Sequence, residues 1–168
     1  MKNIFLIGFM GCGKSAVSRH MASKHGFEII EMDELIEKQE GMSILQIFKE
    51  KGETYFRDLE TKLLLEIQES AGKIVSCGGG VILREENVRE MKRKGSIVWL
   101  TANPETILGR VKHNDNRPLL QGKKNVDAIQ ELLASRYPRY EAAADLAVKT
   151  DGRKVAEICD EILVRINE

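Results

Sequence analysis

The segment Gly8-Phe9-Met10-Gly11-Cys12-Gly13-Lys14-Ser15 constrains this chain more than any other stretch of it. It matches G-x-x-x-x-G-K-S/T, and it stands where that pattern has a mechanism: directly after the apolar run Ile4–Ile7 and at the opening of a helical stretch that runs to about His25. Glycines let the backbone curl with its N–H groups inward, forming a nest for an anion. The helix N-terminus behind the loop adds the positive end of a dipole. In such loops the lysine reaches the β- and γ-phosphates of a nucleotide and the hydroxyl reaches Mg2+. Lys14 and Ser15 are the candidates for those two tasks. The Phe9-Met10 pair and the Cys12 side chain need no chemistry; they pack or fit the turn.

The rest of the chain supplies the sheet that such a loop requires. Glu28–Ile30, Ile74–Val75, Ile97–Leu100 and Leu146–Val148 read as further short strands, each followed by a helical pattern. Continuous apolar strands alternating with helices predict an α/β fold in three layers, a central five-stranded parallel sheet covered by helices on both faces. The 168 residues fit one domain, 1–168, with no repeat and no linker. Two regions interrupt the alternation. Residues 33–72 read as helices only, far more chain than a plain crossover needs, and so as an insertion. Residues 112–124 are polar, contain Pro118 and lack any period, and so read as a mobile loop.

Charge and composition remove several function classes. Lys+Arg and Asp+Glu number 26 each, which gives no basic footprint for nucleic acid. Aromatic residues at 5% are too few for a base-stacking platform. No apolar run approaches the ~20 residues of a membrane span. The N-terminus runs at once into glycines and Lys14, which suits a strand better than a signal peptide. Cys12, Cys77 and Cys159 are odd in number and far apart, which argues for a reducing cytoplasm and against a disulfide framework or zinc site.

Among phosphate-loop proteins, GTPases carry an N/T-K-x-D base-reading motif, and this sequence has none. Transport and motor ATPases place an acid at the end of a later strand, but Ile97–Leu100 ends in Thr101 and Ile74–Val75 leads into Ser76. The second strand does supply acids. Glu31 and Asp33 alternate with Met32, so in extended chain both carboxylates face one way, at the sheet edge where ligands bind. Standing alone, Asp33 would more often cap a helix starting at Glu34; beside the phosphate loop the functional reading is favoured. Gly78-Gly79-Gly80 follows the third strand; three consecutive glycines cost conformational entropy, so close approach of a ligand explains them better than a flexible turn. In the helical stretch from about Gly52 to Ser70, Phe56, Leu59, Leu63 and Ile67 form an apolar stripe. Glu60 falls inside that arc, where a carboxylate needs a partner, and Arg57 stands one turn before it. The pair is either a stripe-edge ion pair or a pocket wall that offers Arg57 to an anionic substrate. Arg117 lies in the polar loop, where it could close over phosphates, and Arg136 and Arg139 flank Tyr137-Pro138.

Taken together, the phosphate loop, Glu31-x-Asp33, Phe56-Arg57 with Glu60, Gly78-Gly79-Gly80, Arg117-Pro118-Leu119-Leu120 and Arg136-Tyr137-Pro138-Arg139-Tyr140 resemble the shikimate kinases of the bacterial single-domain type, over essentially the whole chain. The resemblance implies the P-loop kinase fold, with 33–72 as substrate-binding insertion and 112–124 as lid. It implies an ATP-dependent transfer to the 3-hydroxyl of shikimate with Mg2+ as cofactor, by a cytoplasmic monomer whose partners are those two small molecules. ATP would be held by Gly11, Cys12, Gly13, Lys14, Ser15 and Ala16, with Arg110 and Arg153 flanking the adenine and Arg117 on the phosphates. Lys14, Asp33 and Arg117 would be catalytic, Asp33 as the candidate base. Arg57 and Arg136 would take the substrate carboxylate, with Asp33, Gly78, Gly79 and Gly80 around the ring. Ser15 would bind the metal, with Glu31 and Asp33 as candidates to reach it through water. One departure stands out: the family usually has Asp-x-Asp where this chain has Glu31-x-Asp33, and the added methylene shifts that carboxylate by about 1.5 Å. On the residues alone, a gluconate or nucleoside-monophosphate kinase of the same architecture stays open. So does a nucleotide-binding regulator without turnover, although Asp33 and Arg117 weigh against that.

Overall fold

The computed structural model describes residues 1–111 and 125–168; the expected lid over 112–124, and Arg117 with it, lies outside the described residues. Five strands form one sheet among the described residues: β1 (Asn3–Ile7), β2 (Glu28–Glu31), β3 (Lys73–Ser76), β4 (Gly95–Thr101) and β5 (Leu146–Lys149). Their order is β2-β3-β1-β4-β5, and each neighbouring pair is parallel. Each apolar run in the sequence marks a strand that reaches one or two residues beyond it, because the ladder also takes in polar ends such as Asn3 and Ser76.

The chain leaves β1 toward β2 on one side and later returns on the other to β4, so the carboxyl end of β1 lies at a topological switch point, where parallel sheets open a crevice. Alternation along β1 sorts the core into two layers. Ile4 and Leu6 face α1 (Lys14–His25) and α8 (Val155–Ile166), with Met21, Val98, Ile158 and Ile162. Phe5 and Ile7 face the other side with Met32, Phe56, Leu64, Ile97 and Trp99. That second layer is covered by α2 (Met32–Glu40), α4 (Glu53–Ile67), α5 (Glu85–Lys94) and α7 (Val126–Ala143); α3 (Ile44–Lys51) packs on α4 and α6 (Pro104–Val111) on α7. Phe9 is buried beneath α6 and α7 with Ile107, Val111 and Ile129, so the phosphate loop is anchored by packing as well as by its turn. The helical insertion is α2–α4, as its pattern predicts.

One local expectation needs correction. β2 ends at Glu31 and α2 begins at Met32, so Asp33 lies in the first turn of a helix and not in extended chain. Glu31 is the capping residue, without a side-chain cap bond. Burying Met32 fully is satisfied at a strand-to-helix junction as well as in a strand, which is why the alternation is ambiguous there. An acid in a first helical turn also meets the positive end of the dipole.

Candidate active site

A cleft of about 530 Å3 opens at the carboxyl edge of β1, β2 and β3. Its first half is the phosphate loop. Gly8 has φ of 142°, and a Cβ there would lie 2.5 Å from the Leu100 carbonyl oxygen, so the loop can leave β1 at this angle only as glycine. Gly13, at φ of 102°, caps α1, whose first turn holds no acid. The N–H groups of the first turn, over Lys14, Ser15 and Ala16, therefore present a positive rim to the cleft. Lys14 Nζ donates to the Gly8 carbonyl at 2.7 Å and to the Phe9 carbonyl at 3.1 Å, which holds the ammonium over the loop. Arg110 braces the far side by donating to the Gly11 carbonyl at 2.8 Å. Thr150, at the end of β5, sets its hydroxyl 3.0 Å from the Cys12 carbonyl and 2.9 Å from that of Thr101.

The second half is built from the insertion, the glycine triplet and α7. Arg57 and Arg136 are both buried, 7% and 6% exposed, yet both reach the cleft. Guanidiniums retained at that depth need anionic or polar partners. Arg57 Nη1 donates to Glu60 Oε1 at 2.7 Å and Nη2 to Glu53 at 3.1 Å. Glu60 is wholly buried; burial pushes its carboxyl up to about 7, against the pull of Arg57. Arg57 is ion-paired and also lines the cleft, so the ion pair and the pocket wall are the same residue. Ile44 and Phe48 of α3 add an apolar wall with Phe56, whose ring centroid lies 5.1 Å from that of Phe48.

None of the three glycines 78–80 has positive φ. What requires them is crowding, by side chains rather than by backbone freedom. A Cβ on Gly78 would lie 2.7 Å from Glu60 Oε2 and 3.0 Å from Asp33 Oδ1, and one on Gly79 would lie 3.1 Å from Arg136 Nη1. On Gly80 it would overlap the Arg57 guanidinium. Because Arg57 is pinned by two carboxylates, Gly80→Ala is expected to destabilise the fold by about 1–3 kcal/mol, which a thermal melt against the parent checks.

Glu31 uses its extra methylene. Its Oε2 accepts from the Ser15 hydroxyl at 3.1 Å, while Oε1 is sealed from solvent with no hydrogen bond to a described residue. Burial raises its carboxyl above the ordinary value, against the pull of Ser15.

The cleft thus gathers most of the residues singled out in the sequence: Gly11, Gly13, Lys14, Ser15, Ala16, Glu31, Asp33, Arg57, the triplet, Arg110 and Arg136. Arg153 is not among the lining residues; it pairs with Glu161 at 2.7 Å. No sequence motif marks Ile44, Phe48 or Thr150. The first two, at i and i+4 on an amphipathic helix, carry the same signal as core residues.

A strand–loop–helix phosphate cradle facing a pocket of buried arginines and carboxylates suits a phosphotransferase, and the relatives make it an ATP-dependent kinase acting on a hydroxyl group. A family profile described as shikimate kinase matches residues 10–167. The shikimate kinase of Persephonella marina is 46% identical over 166 residues, covering 99% of both chains. A solved shikimate kinase from Acinetobacter baumannii, in complex with shikimate, superposes with a TM-score of 0.94 at 34% identity, covering 99% of this chain and 93% of that one. A gluconokinase from Sinorhizobium meliloti superposes at 0.63 with 19% identity, covering 99% and 91% of the two chains, a likeness of fold alone. The chain belongs to the shikimate kinase family.

Proposed function

We propose that the cleft transfers the γ-phosphoryl group of ATP to the 3-hydroxyl of shikimate, within a single P-loop kinase domain spanning 1–168. The observation that carries this is the convergence of buried Arg57 and Arg136 on the glycine triplet, in the same cleft as the phosphate loop. Two guanidiniums suit a carboxylate, and the Ile44–Phe48–Phe56 wall suits a carbon ring. Asp33 receives the acceptor's hydroxyl proton, as base, and the chemistry otherwise rests on position and charge. Lys14 and the lid's Arg117 neutralise charge on the transferring group. Arg110 and the loop around Arg153 flank the adenine.

The donor set fits Mg2+. Ser15 and Glu31 set hard oxygens side by side at the loop's mouth, 3.1 Å apart. Bound there, the ion would neutralise charge on the β- and γ-phosphates. Three buried free thiols suit a reducing cytoplasm.

A coupled ADP-release assay with ATP and a panel of shikimate, gluconate and nucleoside monophosphates tests the reading. Turnover with shikimate alone is expected; a preference for another acceptor, or none for any, overturns it. Arg136→Ala is expected to raise the KM for shikimate about 100-fold, the scale of a charge-assisted contact, with the KM for ATP little changed. Equal effects on both substrates would contradict the carboxylate role.

A further inference from the structure

Tyr140 is a residue whose burial the phosphoryl transfer leaves unexplained. It is 1% exposed, among the largest fully buried side chains, and it carries a hydroxyl that a phenylalanine would spare. That hydroxyl donates to the Gly79 carbonyl, across 61 residues of sequence. One helical turn earlier on α7, Arg136 brings its Nη1 to 3.1 Å from where a Gly79 Cβ would stand, and the Tyr140 hydroxyl lies 3.6 Å from the same point. Gly79, Arg136 and Tyr140 therefore meet at one place. Burial pushes the phenol up to about 12 while the Arg136 charge pulls it back, so the hydroxyl stays a donor at neutral pH.

The ring of Tyr140 has a floor. It stacks on Trp99 of β4, with centroids 5.7 Å apart and planes 22° apart, and Trp99 takes the edge of Tyr137 at 4.9 Å and 75°. Pro138 lies inside the helix between Arg136 and Tyr140. A proline there removes one helical hydrogen bond and crowds the carbonyl four residues back, so the helix's own ladder holds this turn less firmly. The Tyr140 hydroxyl and the Trp99 stack supply the missing fixation from outside the helix. A planar trans peptide points its N–H opposite its carbonyl, so a grip on the Gly79 carbonyl also sets the direction of the Gly80 N–H.

We propose that Tyr140 is a positioning residue for the acceptor: braced on Trp99, its hydroxyl locks the Gly79 carbonyl and so keeps the glycine triplet and Arg136 in register. This rests on the assignment of Arg136 and the triplet to the acceptor carboxylate and ring. Tyr140→Phe keeps the ring and its stack and removes only the hydroxyl, with its hold on Gly79 and on Arg136. It is expected to raise the KM for shikimate about tenfold, the scale of one buried hydrogen bond, with the KM for ATP within about twofold. Trp99 is the sole tryptophan, so its fluorescence gives a binding readout apart from turnover: shikimate titration should return a Kd for the variant weakened by the same factor. Arg136→Ala is run beside it. If that variant leaves the shikimate KM unchanged, the acceptor assignment itself is wrong. If it raises the KM and Tyr140→Phe does not, or if Tyr140→Phe weakens ATP and shikimate alike, Tyr140 is a structural residue only and the proposal fails.

Discussion

Lys14→Ala is expected to lower kcat on the order of 1,000-fold or more, the scale of losing a preorganised charge on a transferring phosphoryl group, while the protein stays folded. The ammonium is parked 2.7 Å and 3.1 Å from the carbonyls of Gly8 and Phe9, both within the loop that would wrap the phosphates. Moving from those carbonyls to a nucleotide exchanges neutral acceptors for anionic ones, so the stronger interaction arises only with nucleotide bound. What the fold loses is small: two part-buried hydrogen bonds to carbonyls, about 1 kcal/mol each, and a weak contact to the Cys12 sulfur. The packing that anchors the loop, Phe9 under α6 and α7, does not involve Lys14. Lys14→Arg should not restore activity, because a planar guanidinium does not replace a compact ammonium among converging carbonyls. Rates from the ADP-release assay and a thermal melt of each variant check both halves. Turnover within about tenfold of the parent would remove Lys14 from the chemistry.

The sequence revealed what depends on local pattern and left hidden what depends on distant partners. β1 and the phosphate loop were legible because a continuous apolar run and a fixed glycine spacing have few other physical readings. Asp33 was placed correctly in the cleft but on the wrong element, since Glu31-Met32-Asp33 alternates in a strand and also fits a strand-to-helix turn that buries Met32. The glycine triplet was read as room for a ligand; the room is occupied first by Glu60, Arg136 and Arg57. Thr150 reaches Cys12 across 138 residues, a contact that no periodicity announces. The Arg153 guanidinium pairs with Glu161 at 2.7 Å, a partner that no motif announces. The net charge of zero likewise concealed a cleft where Lys14, Arg57, Arg110 and Arg136 stand among Glu31, Asp33 and Glu60.

Arg57→Ala is expected to abolish useful acceptor binding and also to destabilise the protein by about 3 kcal/mol near neutral pH, more than an ordinary arginine truncation. The reason is the residue left behind. Glu60 has no exposed surface, its Oε1 is held by Arg57 at 2.7 Å, and its Oε2 makes no hydrogen bond to a described residue. Without the guanidinium the carboxylate has lost its main compensation, and protonation becomes its route out of the penalty. The pH dependence follows with a definite sign. In the parent protein burial lifts this carboxyl from 4.5 to about 7, so its contribution to stability is fully present below about 4.5 and is lost as pH rises through about 7. Arg57 is what restrains that rise. In Arg57→Ala the folded-state value climbs further, the window extends upward, and the gap in Tm from the parent should stay level up to about pH 7 and widen above it. Adding Glu60→Gln removes the titrating group while keeping its shape. The double variant should recover part of the lost stability above pH 7, flatten the pH profile, and still fail to bind the acceptor. A stability loss that is the same at every pH, or one that Glu60→Gln leaves untouched, would show that Arg57 supports the fold by packing and not by compensating Glu60.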